Sequence, residues 1–193
     1  MERGLLVTKG GMEMNFPKLE TSRLNLNQVL NQYAENLYDI FSRDEVTKYY
    51  GMDSMKSVQE AHLLIEHFYK IYENKRGIRW GIILKENGEL IGTIGLNNLN
   101  IGSKRAEIGY ELHPAYWNKG FITEAVKEVL NYSFNELQLF RVGAVTYPQN
   151  RASIQLLKKM GFSKEGLLRG YLYQNHLSHD VIIFSLLKTE WQE

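Results

Sequence analysis

Apolar and polar positions alternate along the chain with two different periods, and the switches between them predict the elements. Residues 23–29 place Leu24 and Leu26 two apart and end apolar, which predicts a short first strand. Residues 33–42 carry Leu37, Ile40 and Phe41 at helical spacing. Over 57–74, Ala61, Leu64, Ile65, Phe68 and Tyr72 recur every three or four residues, an amphipathic helix with Ser57 and Glu60 as its capping box. Two β-type runs, Ile78–Leu84 and 90–96, flank Glu86-Asn87-Gly88-Glu89, and Asn-Gly in that setting predicts a hairpin.

A third run of the same sheet, Arg105–Leu112, puts Glu107, Gly109 and Glu111 on one face and Ile108, Tyr110 and Leu112 on the other. Residues 122–136 form a helix with Val126, Val129, Leu130 and Phe134 as its apolar stripe. A strand, Arg141–Thr146, and a short helix over 152–160, stopped by Gly161, follow. The runs 163–171 and 179–187 close the pattern as a strand pair around Gln174-Asn175-His176. The order β-α-α-β-β-β-α-β-α-β-β predicts an α/β fold: a mixed sheet of about seven strands with four helices on both faces. No repeat or linker divides it, so one domain is expected over 16–193, behind a loose tail over 1–15.

Composition narrows the function. With 23 Lys+Arg against 22 Asp+Glu the formal charge is +1, which argues against broad electrostatic binding of nucleic acid or a membrane surface. No apolar run reaches 18 residues, so no transmembrane helix is expected. The chain has no cysteine, which removes disulfides, thiolate nucleophiles and Cys-based metal sites and fits the cytoplasm. His62 and His67, five apart on a helix, do not share a face, and His176 and His179 lack acidic partners nearby; no metal is expected.

The chemically informative stretch runs from Tyr110 to Ala125. A strand ends before Pro114, a loop follows, and a helix starts near Ile122. A helix start offers unpaired N–H groups and partial positive charge, a site for phosphate, and Gly120 lets backbone approach a ligand. Neither the P-loop pattern nor the dinucleotide fingerprint is present.

A second segment, Asn150 through Phe162, changes the reading. With Ala106-Glu107-Ile108-Gly109-Tyr110, Trp117-Asn118-Lys119-Gly120-Phe121, the early Thr21-Ser22-Arg23-Leu24 and the late Glu165-Gly166-Leu167-Leu168-Arg169, it resembles the GNAT superfamily of acetyl-CoA-dependent N-acetyltransferases. Within it the chain resembles the RimJ/RimL branch, which acetylates ribosomal-protein N-termini. The resemblance implies that acetyl-CoA wedges between the fourth and fifth predicted strands, its pantetheine arm on backbone at Leu112. Its pyrophosphate would rest on Asn118, Lys119, Gly120, Phe121, Ile122 and Thr123, where Ile122 departs from the small residue usual in the family. Asn150 and Ser153 match the branch's Asn-x-x-Ser at the thioester end.

The same resemblance implies Glu107 as the first candidate base, Glu111 on the same face as the second, and Ser153 as the group meeting the leaving thiolate. The strand glutamate and helix tyrosine used by some members are replaced here, by spacing, with Val145 and Leu157. Tyr49, Tyr50, Tyr171, Tyr173 and Asn175 fall in the connection and hairpin that wall the acceptor site in the superfamily. An α-amine, of pKa about 7.7–8.0 against about 10.4 for lysine, costs roughly 3–4 kcal/mol less to deprotonate at neutral pH. The expected activity is acetyl transfer from acetyl-CoA to a primary amine, first a protein N-terminus. Its rivals are a small-molecule amine (polyamine, amino acid or antibiotic) and a non-catalytic acyl-CoA-binding module. An exposed sheet edge leaves monomer and homodimer both open.

Overall fold

The computed structural model of the chain describes residues 16–192; the tail expected over 1–15 lies outside them. The strands are β1 (Leu19–Glu20), β2 (Leu24–Gln28), β3 (Ile78–Leu84), β4 (Leu90–Asn100), β5 (Arg105–Leu112), β6 (Arg141–Thr146), β7 (Ser163–Gln174) and β8 (Leu177–Leu187). The helices are α1 (Ala34–Phe41), α2 (Asp44–Thr47), α3 (Val58–Glu73), α4 (Phe121–Asn131) and α5 (Arg151–Lys159). All eight strands join one sheet in the order β1-β2-β3-β4-β5-β6-β8-β7.

Helices cover both faces, as the pattern predicts. On one, Ala125, Val126, Val129 and Leu130 of α4 and Leu156 and Leu157 of α5 bury Leu24, Trp80, Ile94 and Ile108. On the other, Leu37, Ile40 and Phe41 of α1 and Ala61, Ile65 and Phe68 of α3 pack on Val29, Ile83 and Leu90. Removal of this much apolar surface from water is the main force holding the layers together.

The departures from the expected elements have local causes. β1 makes two residue pairs with β2, and α2 is a single turn; both are too short for periodicity to register. Helix α4 ends at Asn131 and continues as a π-turn, Tyr132–Glu136, where Ser133 Oγ donates to the Val129 carbonyl at 2.7 Å. At α3 the capping box is incomplete. Ser57 caps no backbone N–H, while Glu60 accepts from Lys56 N at 3.1 Å. The Asn-Gly hairpin forms with a longer connection, 85–89, in which Gly88 has φ 73°. In the last hairpin Asn175 and His176 have φ 51° and 62°, a two-residue turn of the type whose twist suits paired strands.

One irregularity positions the site. Every ladder is antiparallel except β5–β6, and that parallel pair holds for three residue pairs only, Arg105↔Arg141, Ala106↔Val142 and Glu107↔Gly143. Beyond Glu107, β5 continues with β4 as far as Leu112↔Gly92. Beyond Gly143, β6 continues with β8 as far as Thr146↔Ile182. The sheet therefore splits, and each lip is held by its outer neighbour. Among the described residues, no helix is long and apolar enough to cross a membrane.

Candidate active site

The split opens a cavity of about 450 Å³ whose lining includes Glu107, Asn150 and Ser153, so three of the residues singled out from sequence meet there. Glu107 is the last residue of β5 that pairs with β6. Across from it Gly143 leaves room for its stem: a Cβ there would come within 3.4 Å of Glu107 Cγ. A bulge in β4 between Asn97 and Asn100 turns Asn98 toward it, and Asn98 Nδ2 donates to Glu107 Oε2 at 3.1 Å.

Asn150 caps α5, its Oδ1 accepting from Ser153 N at 3.2 Å. With the cap supplied by Asn150, the Ser153 hydroxyl is free for other work, and it meets the Tyr110 hydroxyl at 2.9 Å. Burial pushes the Tyr110 phenol up to about 12, the bond from Ser153 pulling the other way, so the phenol keeps its proton. Tyr110 was not singled out from sequence for a role; the signal was its parity, which points it away from Glu107 and toward α5.

Glu111, the second candidate, shares Glu107's face but is 6% exposed and does not line the cavity. Its carboxylate accepts from Arg79 Nη2 at 2.6 Å and from the Thr93 hydroxyl. Arg79, 3% exposed, also donates to Thr93 Oγ1 at 2.9 Å, to the Gly109 carbonyl at 3.1 Å and to Tyr50 Oη at 2.8 Å. Burial lifts the Glu111 carboxyl to about 7 against the pull of Arg79. Every polar atom of this cluster serves another.

Past the end of β5 at Leu112, the chain leads through residues 113–120 to the start of α4. Asn118 and Gly120 have φ 60° and 80°, and no side chain caps the first turn, so the N–H groups of Phe121, Ile122 and Thr123 face outward from Gly120. The motif Thr21-Ser22-Arg23 fixes this turn in place. Glu124 accepts from Thr21 Oγ1 at 2.5 Å, from Ser22 Oγ at 3.1 Å, and from Arg23 N and Nε at 2.9 and 2.8 Å. Arg23 also donates to the Lys119 carbonyl at 3.1 Å and lies 4.2 Å over the Phe121 ring. Ile122 is half-buried against the core. Trp117 Nε1 donates to the Leu112 carbonyl at 2.8 Å, taking an acceptor at the end of β5.

The family of the acetyltransferase (GNAT) domain matches residues 23–163. The chain belongs to the GNAT acetyltransferase family. It is 49% identical over 90% of its length to the "uncharacterized N-acetyltransferase YoaA" of Bacillus subtilis, covering 98% of that protein. It is 27% identical to the [ribosomal protein uS5]-alanine N-acetyltransferase of Escherichia coli, over 94% of this chain and 97% of that one. The fold superposes on Mycobacterium smegmatis RimJ in complex with CoA-disulfide with a TM-score of 0.82 at 23% identity, covering 92% of this chain and 90% of that one. The protein is an N-acetyltransferase with acetyl-CoA as its cosubstrate.

In this acetyltransferase Val145 and Leu157 both line the cavity and make two apolar walls. Tyr49, Tyr50 and Tyr171 line it too, with Tyr50 held by Arg79 and Tyr49 packed on Tyr147 at 5.7 Å. Tyr173 is 67% exposed and stands outside the lining. A residue that sequence reasoning passed over ties this wall together. The buried Gln174 accepts from Tyr147 Oη at 2.6 Å and donates to the carbonyls of Thr47 and Met52 at 2.9 and 2.7 Å.

Proposed function

We propose that this enzyme acetylates the N-terminal α-amino group of a protein, with Glu107 as the base and Ser153 as the group that meets the departing sulfur. The observation that carries the reading is the cavity's charge. Glu107 is the one carboxylate in its lining, and Tyr49, Tyr147 and Tyr171 form its aromatic side. One carboxylate beside aromatic faces suits a single ammonium. A polyamine brings a second cation for which the lining holds no acid. The kinship with the uS5-alanine N-acetyltransferase points the same way.

Acetyl-CoA supplies the activated acyl group; the chain supplies position and proton traffic. The N–H groups at the start of α4 and the Lys119 ammonium take the diphosphate, and the β5 backbone between Glu107 and Leu112 takes the pantetheine arm. Glu107, directly or through one water, takes a proton from the incoming ammonium, so that a neutral amine faces the thioester carbonyl. The Ser153 hydroxyl, steadied by Tyr110, donates toward the sulfur as the thiol leaves. An α-amine near pKa 8 asks only a modest base, which suits a carboxylate.

Thiol release from acetyl-CoA, measured over peptides with free Ala, Ser or Met termini, spermidine and free amino acids, tests the reading. A peptide is expected to have the highest kcat/KM. Spermidine outrunning every peptide tenfold overturns it.

A further inference from the structure

The motif Glu165-Gly166-Leu167-Leu168-Arg169 opens on a carboxylate with no part in the chemistry above. Lys164 pairs with Phe184 and Gly166 with Ile183, so Glu165 is the extra residue of a bulge in β7. Bulges re-aim side chains beside active sites, and this one delivers Glu165 to Arg141. Arg141 Nη1 lies 2.6 Å from Oε1 and Nη2 lies 2.5 Å from Oε2, a fork-on-fork pair. Ser185 Oγ donates to the same Oε1 at 2.7 Å.

The register places this pair next to the base. Glu107 is opposite Gly143, and Gly143 is opposite Ser185, so the three form one row across the sheet. Arg141 is two residues from Gly143 on β6 and shares its face, diagonal to Glu107. Gly143 carries no side chain to stand between them. Glu107 and Glu165 therefore flank one guanidinium. The Arg141 guanidinium is held charged first by its bond to Glu165 and also, over a longer range, by Glu107. A guanidinium forked onto Glu107 instead would occupy the oxygens that must accept a proton and favour their charged form.

We propose that Glu165, braced by Ser185, is a positioning residue that holds the Arg141 guanidinium on the β7 side of β6, leaving Glu107 in the cavity with the neutral Asn98 amide as its partner. The other charged and titratable groups round Glu107 do not substitute for this arrangement. Arg105 lies two residues earlier on its own strand, Arg79 is spent on Glu111, and Tyr49, Tyr50, Tyr147 and Tyr171 offer hydroxyls only. The inference rests on Glu107 being the base.

Two readouts test it. In crystal structures of Glu165→Gln and Glu165→Ala, Arg141 is expected to swing onto Glu107 at ion-pair distance and to displace Asn98. In thiol-release assays with acetyl-CoA and an alanine-initiated peptide, Glu165→Ala is expected to lower kcat about tenfold and move the acid limb of kcat/KM to lower pH, with KM for acetyl-CoA unchanged. Adding Arg141→Met to Glu165→Ala restores both. An Arg141 that stays beside Ser185 in both structures, or a double variant no faster than Glu165→Ala, overturns the proposal. Glu107→Gln in the same assay separates the two levels: wild-type speed there defeats the base assignment, as a peptide inert with the wild-type enzyme defeats the acceptor, and the crystal structures still decide what holds Arg141.

Discussion

The hydroxyls of Tyr110 on β5 and Ser153 on α5 meet at 2.9 Å in the lining of the cavity. With Tyr110 donating, the serine's own hydrogen is left to point into the cavity. The tyrosine then acts only through the serine, and the two deletions must not add. Ser153→Ala is expected to lower kcat about 100-fold, and Tyr110→Phe about tenfold. The double variant should match Ser153→Ala alone. Thiol release at saturating acetyl-CoA measures all three, and additive losses would show that Tyr110 has a separate task.

Gly120 sits at φ 80° immediately before the free donors of α4, and a Cβ there would lie 3.4 Å from an Arg23 guanidinium nitrogen. Gly120→Ala pays about 1–2 kcal/mol for the left-handed backbone. Gly120→Asp adds a negative charge where a diphosphate is to bind and competes with Glu124 for Arg23. Coenzyme A affinity by calorimetry should fall several-fold in the first and more than tenfold in the second. Equal affinity for wild type and Gly120→Asp would move the diphosphate site elsewhere.

Glu107 and Glu111 share a face of one strand, yet one lines the cavity and the other is buried on Arg79. Glu111→Ala leaves the Arg79 guanidinium buried without its counter-charge and is expected to cost about 3–5 kcal/mol in denaturant unfolding. Arg79→Met with Glu111→Leu should recover part of that loss, since it removes the unpaired charge but leaves the Thr93 and Tyr50 hydroxyls and the Gly109 carbonyl without Arg79. Glu107→Gln should leave stability within about 0.5 kcal/mol and remove turnover instead. The reverse pattern would exchange the two carboxylates.

How far the sequence reaches is visible in these same residues. Period-two and period-3.6 patterns located seven strands and four helices, most of which bury a face long enough to repeat, while β7 is exposed along most of its length. The splitting of β5 from β6 had no such signature, since the lips carry the same alternation whether or not they pair. Glu107, Asn150 and Ser153 were found through motif resemblance, and the cavity collects them. Glu111 could be told from Glu107 only by its partner. Arg79 lies in a run of apolar residues from Ile78 to Leu84, and a charge buried there needs an opposite one, but nothing local says that it comes from β5. Gln174 sat inside a stretch legible only as a turn; its work is done by the side chain, 127 residues away from Thr47.

Gln174 joins the segment before α3, the end of β6 and the last hairpin through one amide. Gln174→Leu removes three hydrogen bonds at once and leaves the Thr47 and Met52 carbonyls without it. On the proposal that Tyr49, Tyr147 and Met52 surround the acceptor, KM for the amine should rise about tenfold while KM for acetyl-CoA holds. Initial-rate kinetics with each substrate varied in turn reads the split. A rise in both constants would mean that the whole cavity, not the acceptor wall, depends on this amide.

Acid should loosen the molecule at two identifiable carboxylates. The Arg141 fork, helped by Ser185, holds Glu165 down to about 2. For Glu124, burial raises the carboxyl, but the bonds from Thr21, Arg23 and Ser22 together bring it below its ordinary value. In both, the folded value lies beneath the unfolded one near 4.3, so the folded state binds fewer protons. Their stabilisation is complete above about pH 5 and is lost as pH falls from there toward 2. Glu165 is 39% exposed at its side chain, so solvent screening keeps its share small, whereas Glu124 is 18% exposed and ties the N-terminal strands to α4. The thermal midpoint followed from pH 6 to pH 3 should therefore fall less steeply in Glu124→Gln than in the wild type, starting from a lower value, with Glu165→Gln intermediate. Parallel curves for all three proteins would place the acid-sensitive groups elsewhere.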